Sequence, residues 1–191
     1  EVRAGLLSKA KFLSSESAMI RSRGHCNTMG TASTMGSMAE ALGMVLPGVA
    51  GTPATDSRLL QAAQESGRLI VSMVHEDRKP SDVMTKGSFL NAIVALAGIG
   101  GSTNAVVHLL AIAGRLGIDL SLKDFDKTGS HVPLLVNLQP AGKYLMEDLY
   151  RAGGLLAVLK ELEDLLDPKV ITVTGKPLTS YLSEAEIYDT D

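Results

Sequence analysis

The chain has 191 residues, 18 Lys+Arg against 21 Asp+Glu, a formal net charge of −3, 45% hydrophobic residues and 20% charged residues. That is about one to one and a half globular domains, and the mixed, near-neutral charge excludes an acidic disordered tail and a basic nucleic-acid-binding arm. The longest apolar run, 92–101, is far short of the roughly twenty residues of a membrane span, and one cysteine excludes an internal disulfide framework. With no charged-then-apolar leader, the expectation is a cytoplasmic protein with no nucleic-acid and no membrane partner. Aromatics are 4% with no Trp, against 19 Gly and 8 Met, so the core must be built from Ala, Leu, Ile, Val and Met at close range. The chain opens at Glu1 without Met and closes in the polar run Glu184-Ala185-Glu186-Ile187-Tyr188-Asp189-Thr190-Asp191. It therefore reads as a piece of a longer protein: a domain over 1–182 and a polar tail, 183–191, whose composition permits disorder.

In chain order, 9–20 reads as a weak helix ended by Gly24. From Thr31, Met35, Met38 and Leu42 recur on one helical face, closed by Gly43 and Pro47-Gly48. Thr52-Pro53 predicts a helix start, with Thr52 as N-cap and Asp56 at the positive end of the dipole, running to Val74. Pro80-Ser81-Asp82 marks a break, and 88–97 is apolar all round, the pattern of a buried helix. After Gly98-Ile99-Gly100-Gly101, Ser102 caps a second apolar helix over 103–116, which Gly117 ends. Asp124-Phe125-Asp126 reads as polar loop. Leu134-Leu135-Val136-Asn137-Leu138 reads as a buried strand, 146–165 as a helix interrupted at Gly153-Gly154, and Val170-Ile171-Thr172-Val173-Thr174 as a second strand. Helices alternating with short apolar strands predict an α/β fold, a helix-rich layered domain with a short parallel sheet.

The chemistry concentrates at Gly24-His25-Cys26-Asn27-Thr28-Met29-Gly30-Thr31-Ala32-Ser33-Thr34-Met35. The cysteine stands in a small-residue loop just before a helix, with Arg21, Arg23 and His25 beside it. A helix N-terminus and nearby cations favour thiolate, the form that attacks or binds metal. The alternative is that Cys26 is a buried minor hydrophobe. As a nucleophile it would need a base; His75 and His108 fall on predicted helices, His108 in an apolar stripe where a satisfied core histidine is expected, and His131 falls in a loop. As a metal ligand it would need further cysteines that this chain does not contain. Gly98-Ile99-Gly100-Gly101-Ser102-Thr103-Asn104 has the make-up of an anion or carboxylate cradle at a helix N-terminus, or simply of a tight helix contact with Ser102 as cap. Glu147, Asp148, Glu161, Glu163 and Asp164 read as a solvated helical face.

The stretch 24–35, continued by Glu40-Ala41-Leu42-Gly43-Met44 and Leu46-Pro47-Gly48, resembles the dihydroxy-acid and sugar-acid dehydratases, hydro-lyases that include the 6-phosphogluconate dehydratases. Gly100 to Leu109, Gly142 to Leu149 with Ala152-Gly153-Gly154, and Thr172-Val173-Thr174-Gly175-Lys176 are similar to later blocks of that family in the same order. His25 to Thr34 resembles the sugar-acid branch, such as arabinonate and xylonate dehydratases. Dihydroxy-acid dehydration in branched-chain amino-acid biosynthesis is the second reading, and a non-catalytic helical scaffold or oligomerisation module the third. The resemblance implies an internal fragment, 1–182 being part of the N-terminal cluster-binding domain of a larger, oligomeric enzyme that turns a small-molecule sugar acid into a 2-keto-3-deoxy acid. It also implies a two-iron two-sulfur cluster on three cysteines, a Mg2+ ion on carboxylates and a modified lysine, and a serine base. Of these only Cys26 carries over, as the last cluster ligand in chain order. Asn27, Thr28, Ser102, Thr103 and Asn104 are expected beside the cluster or substrate. One thiolate cannot replace three ligands, so the 191-residue polypeptide alone is expected to be colourless and inactive.

Overall fold

A computed structural model describes residues 1–19 and 23–188; Ile20, Arg21 and Ser22, which hold the end of the first predicted helix and one of the cations expected near Cys26, and the last three residues of the predicted tail, lie outside the described residues. The helices are α1 (Lys9–Met19), α2 (Thr31–Ala41), α3 (Ser57–His75), α4 (Pro80–Val83), α5 (Lys86–Gly98), α6 (Asn104–Arg115), α7 (Leu122–Gly129), α8 (Met146–Arg151) and α9 (Gly154–Glu161). The all-apolar segment becomes the centre. Phe89, Ala92, Ile93, Val94, Ala95 and Leu96 of α5 are buried, and α5 packs on α2, α6, α7 and α9. Its two buried polar side chains bond to main chain, as burial demands: Ser88 Oγ donates to the Thr85 carbonyl (2.7 Å), and Asn91 accepts from Asp167 N–H (2.7 Å) and donates to the Asp167 carbonyl (3.2 Å). α2 and α6 lie side by side against α5, with Met38, Ala41 and Leu42 facing Ala105, Leu109 and Ala113 in one apolar cluster.

The expected parallel sheet is not formed among the described residues. The two runs read as strands make only single bridges, Leu138 with Tyr144 and Ile171 with Pro177. Short apolar runs do not reveal their partner, and here the backbone groups find other ones. Leu135 N–H donates to the Gly98 carbonyl at the end of α5 (2.9 Å), while Tyr144 N–H donates to the Asn137 carbonyl (2.9 Å) across a turn. Leu134 and Leu135 are 66% and 41% exposed, so the start of this run is not buried, whereas Leu138 at its end joins the core. The second run folds back on itself, Thr172 N–H to the Lys176 carbonyl (2.9 Å), and ties to α2's end through Val173 N–H and the Gly43 carbonyl (2.7 Å).

The long amphipathic helix starts later than Thr52 predicts. Asp56 N–H donates to the Pro53 carbonyl (2.9 Å), an isolated turn, and it is Asp56 whose carboxylate accepts from Arg58 N–H (2.9 Å) to cap α3. The predicted break at Pro80 is the one-turn helix α4. Ser183 to Tyr188, in the predicted tail, run back over α8 and α9: Ala185 is buried, its carbonyl accepts from Lys160 Nζ (2.6 Å), and Tyr188 N–H donates to the Ala152 carbonyl (3.0 Å).

Asp124-Phe125-Asp126 lies in helix α7 and not in a loop. The missed signal is Ser121 three residues before Asp124: Asp124 Oδ2 accepts from both the Ser121 N–H (2.8 Å) and its hydroxyl (2.9 Å). Lys86 Nζ binds Asp124 Oδ1 (2.9 Å). This ammonium first, with the Ser121 donors, pulls the Asp124 pKa down to about 2 from 3.8. A depressed carboxylate pKa contributes stability above its unfolded value that is lost as pH falls through the folded one. Asp124→Asn should therefore melt below the parent near neutral pH, with the gap closing between about pH 4 and pH 2. A gap unchanged by pH in thermal melts would show that the carboxylate charge contributes nothing.

Candidate functional site

The Cys26 loop is shaped by its first residues. Gly24 has φ +106°, and a Cβ there would stand 2.8 Å from Ala54 Cβ, so both the conformation and the close approach call for glycine. Arg23 Nε donates to the Ala54 carbonyl (3.1 Å), fixing the loop's entry to the segment before α3. At the exit Met29 is buried and its N–H donates to the Gln139 carbonyl (2.7 Å). Because Met29 supplies the apolar anchor, Cys26 need not. It is exposed, which overturns its reading as a buried hydrophobe. Its Sγ lies 3.3 Å from Thr28 Oγ1. The Thr28 hydroxyl, then its backbone N–H, stabilise the anion and lower the Cys26 pKa below the ordinary 9.0.

The hydrogen bonds of His25 run to the loop backbone and to Ser33, while the Cys26 sulfur is met by Thr28. The His25 Nδ1 is 2.7 Å from the Cys26 carbonyl, which only accepts, so Nδ1 carries the proton. Ser33 Oγ donates to the Thr28 carbonyl (2.7 Å) and lies 3.3 Å from the same Nδ1. The imidazole thus braces the loop backbone. Asn27 faces away from the sulfur's partner: its carbonyl accepts from Met146 N–H (3.1 Å) and its Oδ1 from Glu147 N–H (2.9 Å), which caps α8.

The second predicted loop comes to the first turn of α2. At Gly101 a Cβ would meet Thr34 Cγ2 at 2.7 Å; without one, Ser102 N–H reaches Thr34 Oγ1 (2.9 Å). Ser102 Oγ lies 3.2 Å from Thr31 Oγ1, and Asn104 Nδ2 donates to the same oxygen (2.8 Å). Thr103 is exposed and precedes α6, while Ser102 Oγ accepts from Asn104 N–H (3.3 Å). Two helix N-termini, those of α2 and α6, therefore sit together directly after the Cys26 loop, with Ser102, Asn104, Thr31 and Thr34 knit by hydrogen bonds. Sequence reasoning missed Thr31 and Thr34; hydroxyls three apart in a helix's first turn share a face, which was the available signal.

The other candidates disperse. His75, His108 and His131 are exposed; His108 sits beside the buried stripe of α6 and not in it, which corrects its reading as a core histidine. Among the described residues no group of three or more His, Cys, Asp or Glu could hold a metal ion. No helix among them is long and apolar enough to cross a membrane.

What decides the relationship is a family model, dihydroxy-acid/6-phosphogluconate dehydratase N-terminal, which matches residues 1–181. The chain belongs to this family. An L-arabinonate dehydratase of Rhizobium leguminosarum bv. trifolii is 56% identical over 192 residues, covering 100% of the chain and 33% of that protein. A D-xylonate dehydratase of Caulobacter vibrioides is 45% identical over 188 residues, covering 97% of the chain and 31% of that protein. A dihydroxy-acid dehydratase of Sulfurisphaera tokodaii is 46% identical over 166 residues, covering 86% and 30%. The chain thus spans about a third of the length of these curated relatives. It is helix-rich and corresponds to the N-terminal domain of a larger dehydratase.

Proposed function

We propose that this chain is the cluster-ligating part of a cytoplasmic sugar-acid hydro-lyase, with Cys26 as one ligand of a two-iron two-sulfur cluster. The observation that carries the reading is an exposed sulfur, hydrogen-bonded by Thr28 and shifted toward thiolate, in a family of dehydratases. The donor chemistry fits iron as a single ligand of a larger set; the remaining thiolates come from chain outside these residues. When bound, the cluster supplies an iron as Lewis acid for a C3 hydroxyl, a poor leaving group by itself. Among the described residues no group of three or more His, Cys, Asp or Glu fits the implied Mg2+.

This chain's own residues do the holding. Thr28 presents a hydroxyl and an N–H to the Cys26 sulfur. Asn27 locks the loop to α8. Ser102, Thr103 and Asn104, gathered at the first turn of α2 through Thr31, offer hydroxyl and amide groups beside the loop to a carboxylate or hydroxyl of a small sugar acid. Greater identity to the L-arabinonate enzyme, 56%, than to the dihydroxy-acid enzyme, 46%, supports an aldonate of the arabinonate kind, while the D-xylonate enzyme, 45%, does not stand apart from the dihydroxy-acid one. The apolar face that α3 leaves exposed, with Leu60, Ile70, Val71 and Val74, is a surface for the rest of the protein or for a second copy.

The test is turnover of the intact polypeptide, cluster loaded, on L-arabinonate, D-xylonate and a branched 2,3-dihydroxy acid, with the 2-keto-3-deoxy acid as readout. An aldonate is expected to be the best substrate. Preference for the branched acid would move the protein to the second reading, and no turnover of any would overturn both.

A further inference from the structure

Glu40 is an acidic residue buried under the 48–50 backbone. It is 1% exposed, on the inner face of α2, and among the described residues none of the ion pairs involves its carboxylate. Instead Oε1 accepts from Gly48 N–H (2.9 Å) and Oε2 from Ala50 N–H (2.7 Å). A buried acid survives only where such donors replace water. Burial pushes its pKa up, and the N–H groups of Ala50, Gly48 and Val49 pull it back. The two bonds land on different oxygens, a geometry that the ionised form satisfies fully and the protonated acid or an amide does not.

The segment Glu40 grips is the one that touches the Cys26 loop. Four residues past Ala50, Ala54 gives its carbonyl to Arg23 and its Cβ surface to Gly24. Between them, Gly51 lies against the Tyr150 ring, 3.7 Å from where its Cβ would be, and Arg58 stands 4.9 Å over the same ring. Tyr150 belongs to α8, the helix that Asn27 caps. The Cys26 loop is therefore held on both sides by elements that meet on the 48–54 segment, and Glu40 holds that segment to α2.

We propose that Glu40 is a positioning residue for Cys26: by binding Gly48 and Ala50 it fixes the 48–54 segment, and through Ala54 and Tyr150 it fixes both ends of the cysteine loop. The consequence for iron rests on the ligand reading of Cys26, but the geometry does not. The test is hydrogen exchange on the intact polypeptide, free of iron, comparing the parent with Glu40→Gln, which keeps the shape and loses one acceptor, and Glu40→Leu, which loses both. Well below the melting temperature, amides 25–30 should exchange about tenfold or more faster in Glu40→Leu and by a smaller factor in Glu40→Gln, with α5 amides at parental rates. Parental rates at 25–30, or a uniform rise that includes α5, would overturn the proposal. Should the variants not fold, the parent decides: in low denaturant Gly48, Ala50 and Met29 amides should open together as one unit, and Met29 protection outlasting the other two would overturn it. No readout uses a cluster or turnover, so failure here leaves the ligand assignment intact, and failure to bind iron leaves this proposal intact.

Discussion

With Cys26 as the proposed cluster ligand, its replacement by serine in the intact polypeptide should remove the cluster's visible absorbance and cut dehydration by more than about a hundredfold, beyond the cost of losing an outer-shell partner. Serine keeps the size of the side chain and the backbone of the loop, whose anchors are Met29, Arg23, Gly24 and Asn27 rather than the sulfur. The melting temperature of the iron-free protein should therefore stay within a degree or two of the parent, since exposed substitutions away from caps and cores are worth about ±0.5 kcal/mol. Absorbance, turnover and calorimetry on the same preparation separate the outcomes. Full activity in the serine variant would remove Cys26 from the mechanism. Loss of activity together with a large drop in stability would show that the residue acts in folding.

Phe89→Ala should produce the largest loss of stability of any single truncation in α5. The ring is fully buried, at the helix that meets α2, α6, α7 and α9, in a chain where aromatics are only 4% of residues. A phenylalanine-to-alanine change in such a place costs about 3–5 kcal/mol, transfer and cavity together. For a chain of this length that is a fall in melting temperature of about 6–20 °C. Denaturant titration gives the free energy directly. A loss below about 1 kcal/mol would mean that the neighbours collapse into the space and that α5 is not the keystone of the packing.

Residues 88–97 showed their burial through composition alone, because a helix apolar on every side has nowhere to go but the interior. α6 was readable for the opposite reason, an apolar stripe with a capped start and Gly117 behind it. The two runs read as strands failed on a different physical point. An extended segment needs a neighbour for its N–H and C=O groups, and the partner of Leu135 is the end of a helix, Gly98, whose identity no local pattern carries. α7 was hidden by its charges, although Ser121 followed three residues later by an acid that reaches back to its N–H is a mark of a helix start. At the site, the loop around Cys26 stood out, whereas the exposure of its sulfur follows from Met29 taking the buried place beside it. Glu40 was legible only in retrospect: an acid between Ala39 and Ala41, two residues past Met38, cannot be distinguished from a surface residue until the 48–50 backbone is seen against it.

The outward-facing sulfur has a cost in handling. A solvent-accessible thiol held toward its anion is the atom that peroxide meets first, giving a sulfenic acid that condenses with any other thiol it encounters. Within these 191 residues there is no second cysteine to resolve it, so the bond open to the 191-residue chain is one to a small thiol or to another copy. A preparation exposed to air would then carry covalent dimers that have nothing to do with the biological assembly, and reductant is what separates the two.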